Sequence, residues 1–396
     1  MKIFLVTITI IICVALAGWF FYRNIENVPS GQYNSKELSH SINKVPSDQE
    51  QKTLIENKSI PKPLPDNKKT NKTDVTIGKP DRELMGEIIA KEVADNQRYY
   101  DQLVKKDPET LWNQWYRLLA GDNNQRWNII RRALITQLQH KGSKDVYQDL
   151  SSLLGESSLP IAQKKLITNL LGETATPEAM TILLDEAMSN QDNPLRPTIL
   201  ETITEMGDEW WDNRFHPELS PSLEKAWNSG LNDQEFINAV ATGMAKVGSP
   251  SGIKLLLTAI TEGGSTLDEI NQGQNQQALA AFDAMGEIIN RDAAPTLAEE
   301  FNKHQSKLND PVFVASGNAL ARIGGVEGTK ALIAWAKESP EDAAILVKKW
   351  IMEASKSTES FDLLQQSLQS ESFQSVKIKK EIQAVLKSKG HLESQE

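Results

Sequence analysis

From residue 82 onward the sequence predicts an all-α fold of helix hairpins laid side by side, and three observations carry that reading. Apolar residues recur at intervals of three and four rather than two. Pro and Gly cut the chain into helical segments of about 10 to 16 residues with no alternating, strand-like run. A small-residue turn then returns at a period near 40 residues, the spacing of stacked helix pairs.

Each segment follows from its own residues. In Glu83–Gln97, Leu84, Ile88, Ile89 and Val93 mark one helical face. Trp112 and Trp115 lie three apart, on one face with Leu119, and Trp127 follows; core packing at the start of the body is the plainer account of this cluster. The repeat itself shows in LITNLLGETATPEAMTILL, ILETITEMGDEWW, AVATGMAKVGSPSGIKLLL, AFDAMGEIINRDAAPTLAEEF and SGNALARIGGVEGTKALIAW, which superpose Gly172, Gly207, Gly248, Asn290 and Gly324. Four glycines and an asparagine at these positions predict left-handed residues that end the first helix of each hairpin. Two intervals are enlarged. Gly207–Pro221 swells the turn inside one hairpin, and Glu262–Asn275 swells the connection between two hairpins. These two kinds of turn fall on opposite edges of a stack, so the insertions should flank one concave surface about midway along the body.

The pattern of Pro311–Ser339, with Ala315, Ala319, Leu320, Ile323, Gly324, Gly328, Ala331 and Leu332 in small-apolar, glycine-turn, apolar order, resembles the HEAT-repeat family. The resemblance extends with decreasing quality over residues 125 to 370. It lacks the family's regular Asp and Arg ladder, of which Arg131, Arg132 and Arg322 are isolated remnants. It implies an α-solenoid, a protein-interaction surface and no chemistry of its own.

Ahead of the body stand two further segments. Ile3–Tyr22 is a charge-free run of 20 residues, about 30 Å as a helix, closed by Trp19, Phe20, Phe21 and Tyr22 and bracketed by Lys2 and Arg23. It predicts a membrane anchor over residues 1–23. Cleavage after Ala17 is the rival, although the apolar run continues past that point. Residues 24–80 hold six Pro, nine Lys, seven Asn and a single aromatic, Tyr33. Such a stretch buries too little to offset its ordering entropy and predicts a disordered linker spanning roughly 40 Å. The domain reading is therefore anchor, linker, an N-terminal helical cap over 81–124, and a repeat domain over 125–396.

Composition narrows function. The chain carries 43 Lys+Arg against 53 Asp+Glu, a formal net charge of −10, and a single cysteine, Cys13. Up to Arg82 there are 12 basic and 8 acidic side chains, against 31 and 45 beyond it. An acidic body argues against nucleic acid as a partner. The absence of cysteine after Cys13 suits an oxidising compartment. Together these features predict a single-pass protein of the bacterial inner membrane with its C-terminal domain in the periplasm.

The candidate binding residues lie in the enlarged turn. Adjacent Trp210 and Trp211 cannot both enter one core, which leaves one aromatic for a partner, and Arg214 and His216 would donate to a carboxylate or peptide group. His216 beside Pro217 reads more simply as a surface histidine. No metal site is expected from Asp208, Glu209, Asp212 and His216, whose spacing is unconstrained. Ser251-Gly252-Ile253-Lys254 matches a Ser-x-x-Lys pattern, but the sheet required for that chemistry is not predicted. The expectation is a tethered, non-catalytic module without cofactors that binds an envelope protein or peptide. The alternative is an all-α envelope enzyme acting on glycan or peptidoglycan through paired carboxylates.

Overall fold

The computed structural model describes residues 82–393, apart from short segments at 120–124, 209–213, 231, 274 and 371. The predicted anchor, the linker, Trp210 and Trp211 lie outside the described residues. Among the described residues the chain forms 18 α-helices and three short 3-10 turns. Two compact units divide them, one holding residues 82–105 and 113–130 and the other 106–112 and 131–393.

The first unit contains α1 (Arg82–Leu103) with parts of α2 (Pro108–Leu119) and α3 (Gln125–Lys141). Its buried centre is Leu103, Trp115, Leu119 and Trp127, with the two indoles 5.4 Å apart and tilted by 32°. The predicted apolar face of α1 forms a helix but is not covered: Met85, Ile88, Ile89 and Val93 are exposed among the described residues.

The second unit is a two-layer array of hairpins. One layer holds α5 (Ile161–Thr174), α7 (Arg196–Glu205), α9 (Gln234–Val247), α12 (Gln276–Met285), α14 (Pro311–Ile323), α16 (Ala344–Ala354) and α18 (Val376–Glu393). The other holds α4 (Lys144–Gly155), α6 (Pro177–Ser189), α8 (Ser220–Trp227), α10 (Pro250–Gly263), α13 (Ala294–His304), α15 (Gly325–Glu338) and α17 (Thr358–Ser370). Within each layer every helix packs on the next of its own layer, and α5–α6, α9–α10, α14–α15 and their equivalents pack as antiparallel pairs. Burial follows the sequence period: Phe236, Ile237, Val240, Met244 and Val247 of α9 all face inward, a stripe recurring at three and four. Short polar residues start the helices, as Asp233 does for α9 and Ser249 for α10 by accepting from Phe236 N and Gly252 N at 3.0 Å.

The repeated small residue has two different physical reasons. Gly248 (φ 67°) and Gly324 (φ 60°) are the left-handed helix ends that the pattern predicts. Gly172 and Gly207 have no such conformation and are small because the next hairpin lies against them. A Cβ on Gly172 would stand 2.5 Å from Thr202 Cγ2, and one on Gly207 would stand 2.9 Å from the Val247 backbone nitrogen. Asn290 is extended rather than left-handed (φ −70°). Its buried amide donates to Val247 O at 2.7 Å, closing the α12–α13 turn onto the preceding one. The row of turns is thus a packed edge, and small residues there set how closely hairpins approach.

The charge ladder that the sequence lacks in regular form exists in irregular form. Arg131 pairs with Glu173 at 2.8 Å, Arg196 with Asp233 at 2.6 Å, Lys246 with Asp208 at 3.4 Å and Lys348 with Glu381 at 3.0 Å. Arg322 stands 4.0 Å from Glu353. Each pair joins one hairpin to the next. Successive members come from different positions of the repeat, which is why no single motif displays them.

Candidate functional site

The enlarged turn of the α7–α8 hairpin brings Arg214, His216 and Glu218 together. Glu218 Oε1 lies 3.2 Å from Arg214 Nη2 and 3.2 Å from His216 Nδ1. Arg214 is largely exposed and paired with Glu218. His216 is not a surface histidine: its side chain is fully buried. Pro217 opens a 3-10 turn directly after it, which folds the imidazole under the loop, where it braces Glu218.

The start of the same turn is acidic. Glu205 lies near Glu201, Asp208 and Lys246 of α9, and Lys246 pairs with Asp208. Burial pushes the Glu205 carboxyl above its ordinary value, the nearby Glu201 and Asp208 charges add to this, and Lys246 opposes it. This raised carboxyl is absent from the sequence reading, because the burial that raises it arises only once α7 packs on α9.

The second insertion, between hairpins, contains the short helix α11 (Leu267–Asn271), capped by Thr266 and followed by Gly273 in a left-handed turn (φ 68°). It folds tightly, since a Cβ on Gly263 would overlap Ala278. Where this connection meets the preceding one there is a polar cleft of about 590 Å3 lined by Asn232, Ile237, Asn275, Gln276 and Gln277, with Gly230 and Gly273 at its rim. Asn275 caps α12 through Ala278 N at 3.1 Å, and Gln277 donates to Trp227 O at 3.2 Å, so two of the amides are fixed by the fold. Primary amides offer both donor and acceptor, the complement of a peptide backbone.

A second cleft, about 550 Å3, runs between α4 and α6. Tyr147, Gln148, Ser151, Ser152, Thr181 and Ile182 line it, with Lys144 and Glu178 at one end. The Tyr147 hydroxyl lies 2.6 Å from Thr176 Oγ1, and burial pushes its pKa up to about 12. It stays protonated at neutral pH. This lining of one aromatic, short hydroxyls and an amide matches the residue types that bind extended chains without reacting with them.

In the Ser-x-x-Lys pattern the serine is held in a hydroxyl–carboxylate network. Ser251 Oγ donates to Glu224 Oε1 at 2.6 Å, and the same carboxylate accepts from Ser220 at 2.6 Å. Ser220 also bonds Ser249, the cap of α10, so these hydroxyls join two neighbouring turns. Among the described residues no three His, Cys, Asp or Glu side chains converge as a metal site would require. The tryptophans near the start of the body are buried: Trp112 donates to Asp149 at 3.1 Å in the second unit, and Trp115 packs on Trp127 in the first.

Fold and site together define an all-α helical-repeat protein with open clefts on a face and on an edge. The chain matches no family model and no curated protein. Among solved structures it is similar to human deoxyhypusine hydroxylase in complex with glycerol, at 14% identity and a TM-score of 0.23, over 76% of this chain and 99% of that one. At that identity and superposition the likeness says nothing of what this chain binds.

Proposed function

We propose that the chain is a membrane-tethered periplasmic scaffold whose HEAT-like array binds an envelope protein or peptide, without catalysis. Residues 1–23 hold it in the bacterial inner membrane and residues 24–80 set its reach. The observation that carries the reading is the pair of open clefts, each lined by side chains from successive hairpins and rich in hydrogen-bonding groups. Trp210, Trp211 and Arg214 of the enlarged turn are proposed as further contact residues. The test is a pull-down from crosslinked envelopes with the full chain, the Asn232→Ala/Gln276→Ala variant and the Gln148→Ala/Thr181→Ala variant. One specific partner, depleted by at least one variant, is expected; recovery of the same proteins at the same yield from all three chains contradicts the proposal.

A second reading, the glycan-directed enzyme, rests on Glu205, a partly buried carboxyl held toward protonation beside Asp208. Release of soluble fragments from peptidoglycan that stops with Glu205→Gln would establish it in place of the scaffold.

A further inference from the structure

The outward faces of α16 and α18 combine exposed lysines with exposed large apolar side chains on a body of acidic composition. On α16 the exposed residues are Ile345, Lys348, Lys349 and Met352, which share one face, and Lys356 follows in the turn after the helix. On α18 they include Val376, Lys377, Lys380, Gln383, Ala384 and Lys387. The two helices pack side by side and both begin at the same edge of the array, and Lys348 reaches Glu381 at 3.0 Å to join their faces. The exposed charges on the two faces are all lysine, a local excess of positive charge bounded by Glu341 and Asp342 before α16 and by Glu393 at the end of α18. Glu353 and Glu381 are half-buried and engaged by Lys356 and Lys348; Glu341 and Asp342 stand at the rim before α16. Ile345 is 81% exposed, and with Met352 and Val376 it makes three of the large apolar side chains left in water.

We infer that this face docks on an anionic lipid surface, with the three apolar side chains entering the headgroup layer and the lysines above it. Charge complementarity selects an anionic partner, and the residue types select lipid over protein. The cations on the face are all lysine, mobile point charges suited to a diffuse negative surface, whereas a protein carboxylate or phosphate site favours the fixed fork of arginine. Trp, Tyr and Arg, which anchor protein interfaces, are missing from it. The inference rests on the tethered reading above, because a face this weakly apolar needs the high effective concentration a tether supplies.

The test uses the full chain with Cys13→Ser and Met352→Cys, labelled at 352 with an environment-sensitive fluorophore and reconstituted into vesicles. One set is phosphatidylcholine alone; the other is equal parts phosphatidylcholine and phosphatidylglycerol. The expected result is a blue shift and quenching by lipid-borne nitroxide on the anionic vesicles only, lost with Lys349→Glu/Lys377→Glu/Lys380→Glu and weakened by Ile345→Asp. Circular dichroism of each variant separates lost docking from lost folding. A chain that enters both vesicles while its probe stays in water overturns the docking and leaves the anchor intact. A chain that stays out of neutral vesicles yet shifts on anionic ones overturns the anchor and keeps the docking. A probe protected without nitroxide quenching, and crosslinked to a second copy or another protein, overturns lipid as the occupant.

Discussion

Successive hairpins are joined by buried charge in the first half of the array and by aromatic rings in the second. Between α7 and α9, Arg196 is 5% exposed and sits between Asp233 and Glu235, while Arg131 reaches Glu173 in a nearly dry setting. Burial pushes the Glu173 carboxyl up and the Arg131 guanidinium down, each toward its neutral form, against the pull of the pair. Between α13 and α16, Phe301, Phe313, Trp335 and Trp350 form a cluster with ring centroids 4.7 to 5.8 Å apart. The Trp350 indole donates to Asn318 Oδ1 at 2.9 Å. Charge fixes register but gives back much of its attraction as desolvation, whereas aromatic area is nearly all gain. The second half should therefore hold the more stable hairpins and the first half the more precisely spaced ones.

Four substitutions and one titration would break or sharpen that contrast. Trp350→Ala should have the largest effect, about 3 to 5 kcal/mol, because it empties the centre of the aromatic cluster; chemical denaturation measures it, and a loss near zero would refute the assignment of stability to these rings. Arg196→Ala should cost about 1.5 to 3 kcal/mol by removing a buried guanidinium that bonds Asp233 and Ala187 O. If it cost no more than an exposed pair, the charge-stitched half would need another account. Gly317→Ala should cost about 1 to 3 kcal/mol, since the new methyl overlaps the Trp350 indole. Combined with Trp350→Ala the two should add to less than their sum, as each relieves the other. Gly248→Ala should cost about 1 kcal/mol or somewhat more, through its left-handed backbone and the Asn290 side chain against it.

The titration concerns Asp233. Burial raises its carboxyl, but the Phe236 N–H and the Arg196 guanidinium outweigh this and leave its pKa below the ordinary 3.8. A depressed carboxylate binds fewer protons folded than unfolded, so its contribution is complete above that ordinary value and is lost as pH falls through the folded one. The stability gap between the native chain and Asp233→Asn should be constant near neutrality and close in acid. A gap that widens in acid would reverse the assigned sign.

The sequence made the hairpins readable because periodicity and turn residues act locally. Gly248 and Gly324 have the positive φ expected of them, and one insertion falls inside a hairpin and the other between two. What the sequence hides is contact between successive repeats. Gly172 and Gly207 are small for the sake of Thr202 and Val247, some 30 to 40 residues onward, and no local rule separates that cause from a left-handed turn. The clefts are hidden for the same reason, since Tyr147 meets Thr181, and Asn232 meets Gln276, only once hairpins stack. His216 was misread because a polar loop beside proline looks exposed, although a 3-10 turn tucks its imidazole inside. Arg214 is on the surface where the loop composition puts it.

The central claim is that each hairpin depends on its neighbours alone, so that damage stays where it is made. Hydrogen exchange on the full chain carrying Trp350→Ala tests this directly. The account predicts that protection falls in α13 to α17 while α5 to α9 exchange as in the native chain. An equal loss of protection across all of these helices would mean a single cooperative core and would contradict the repeat architecture on which the proposed clefts and docking face rest.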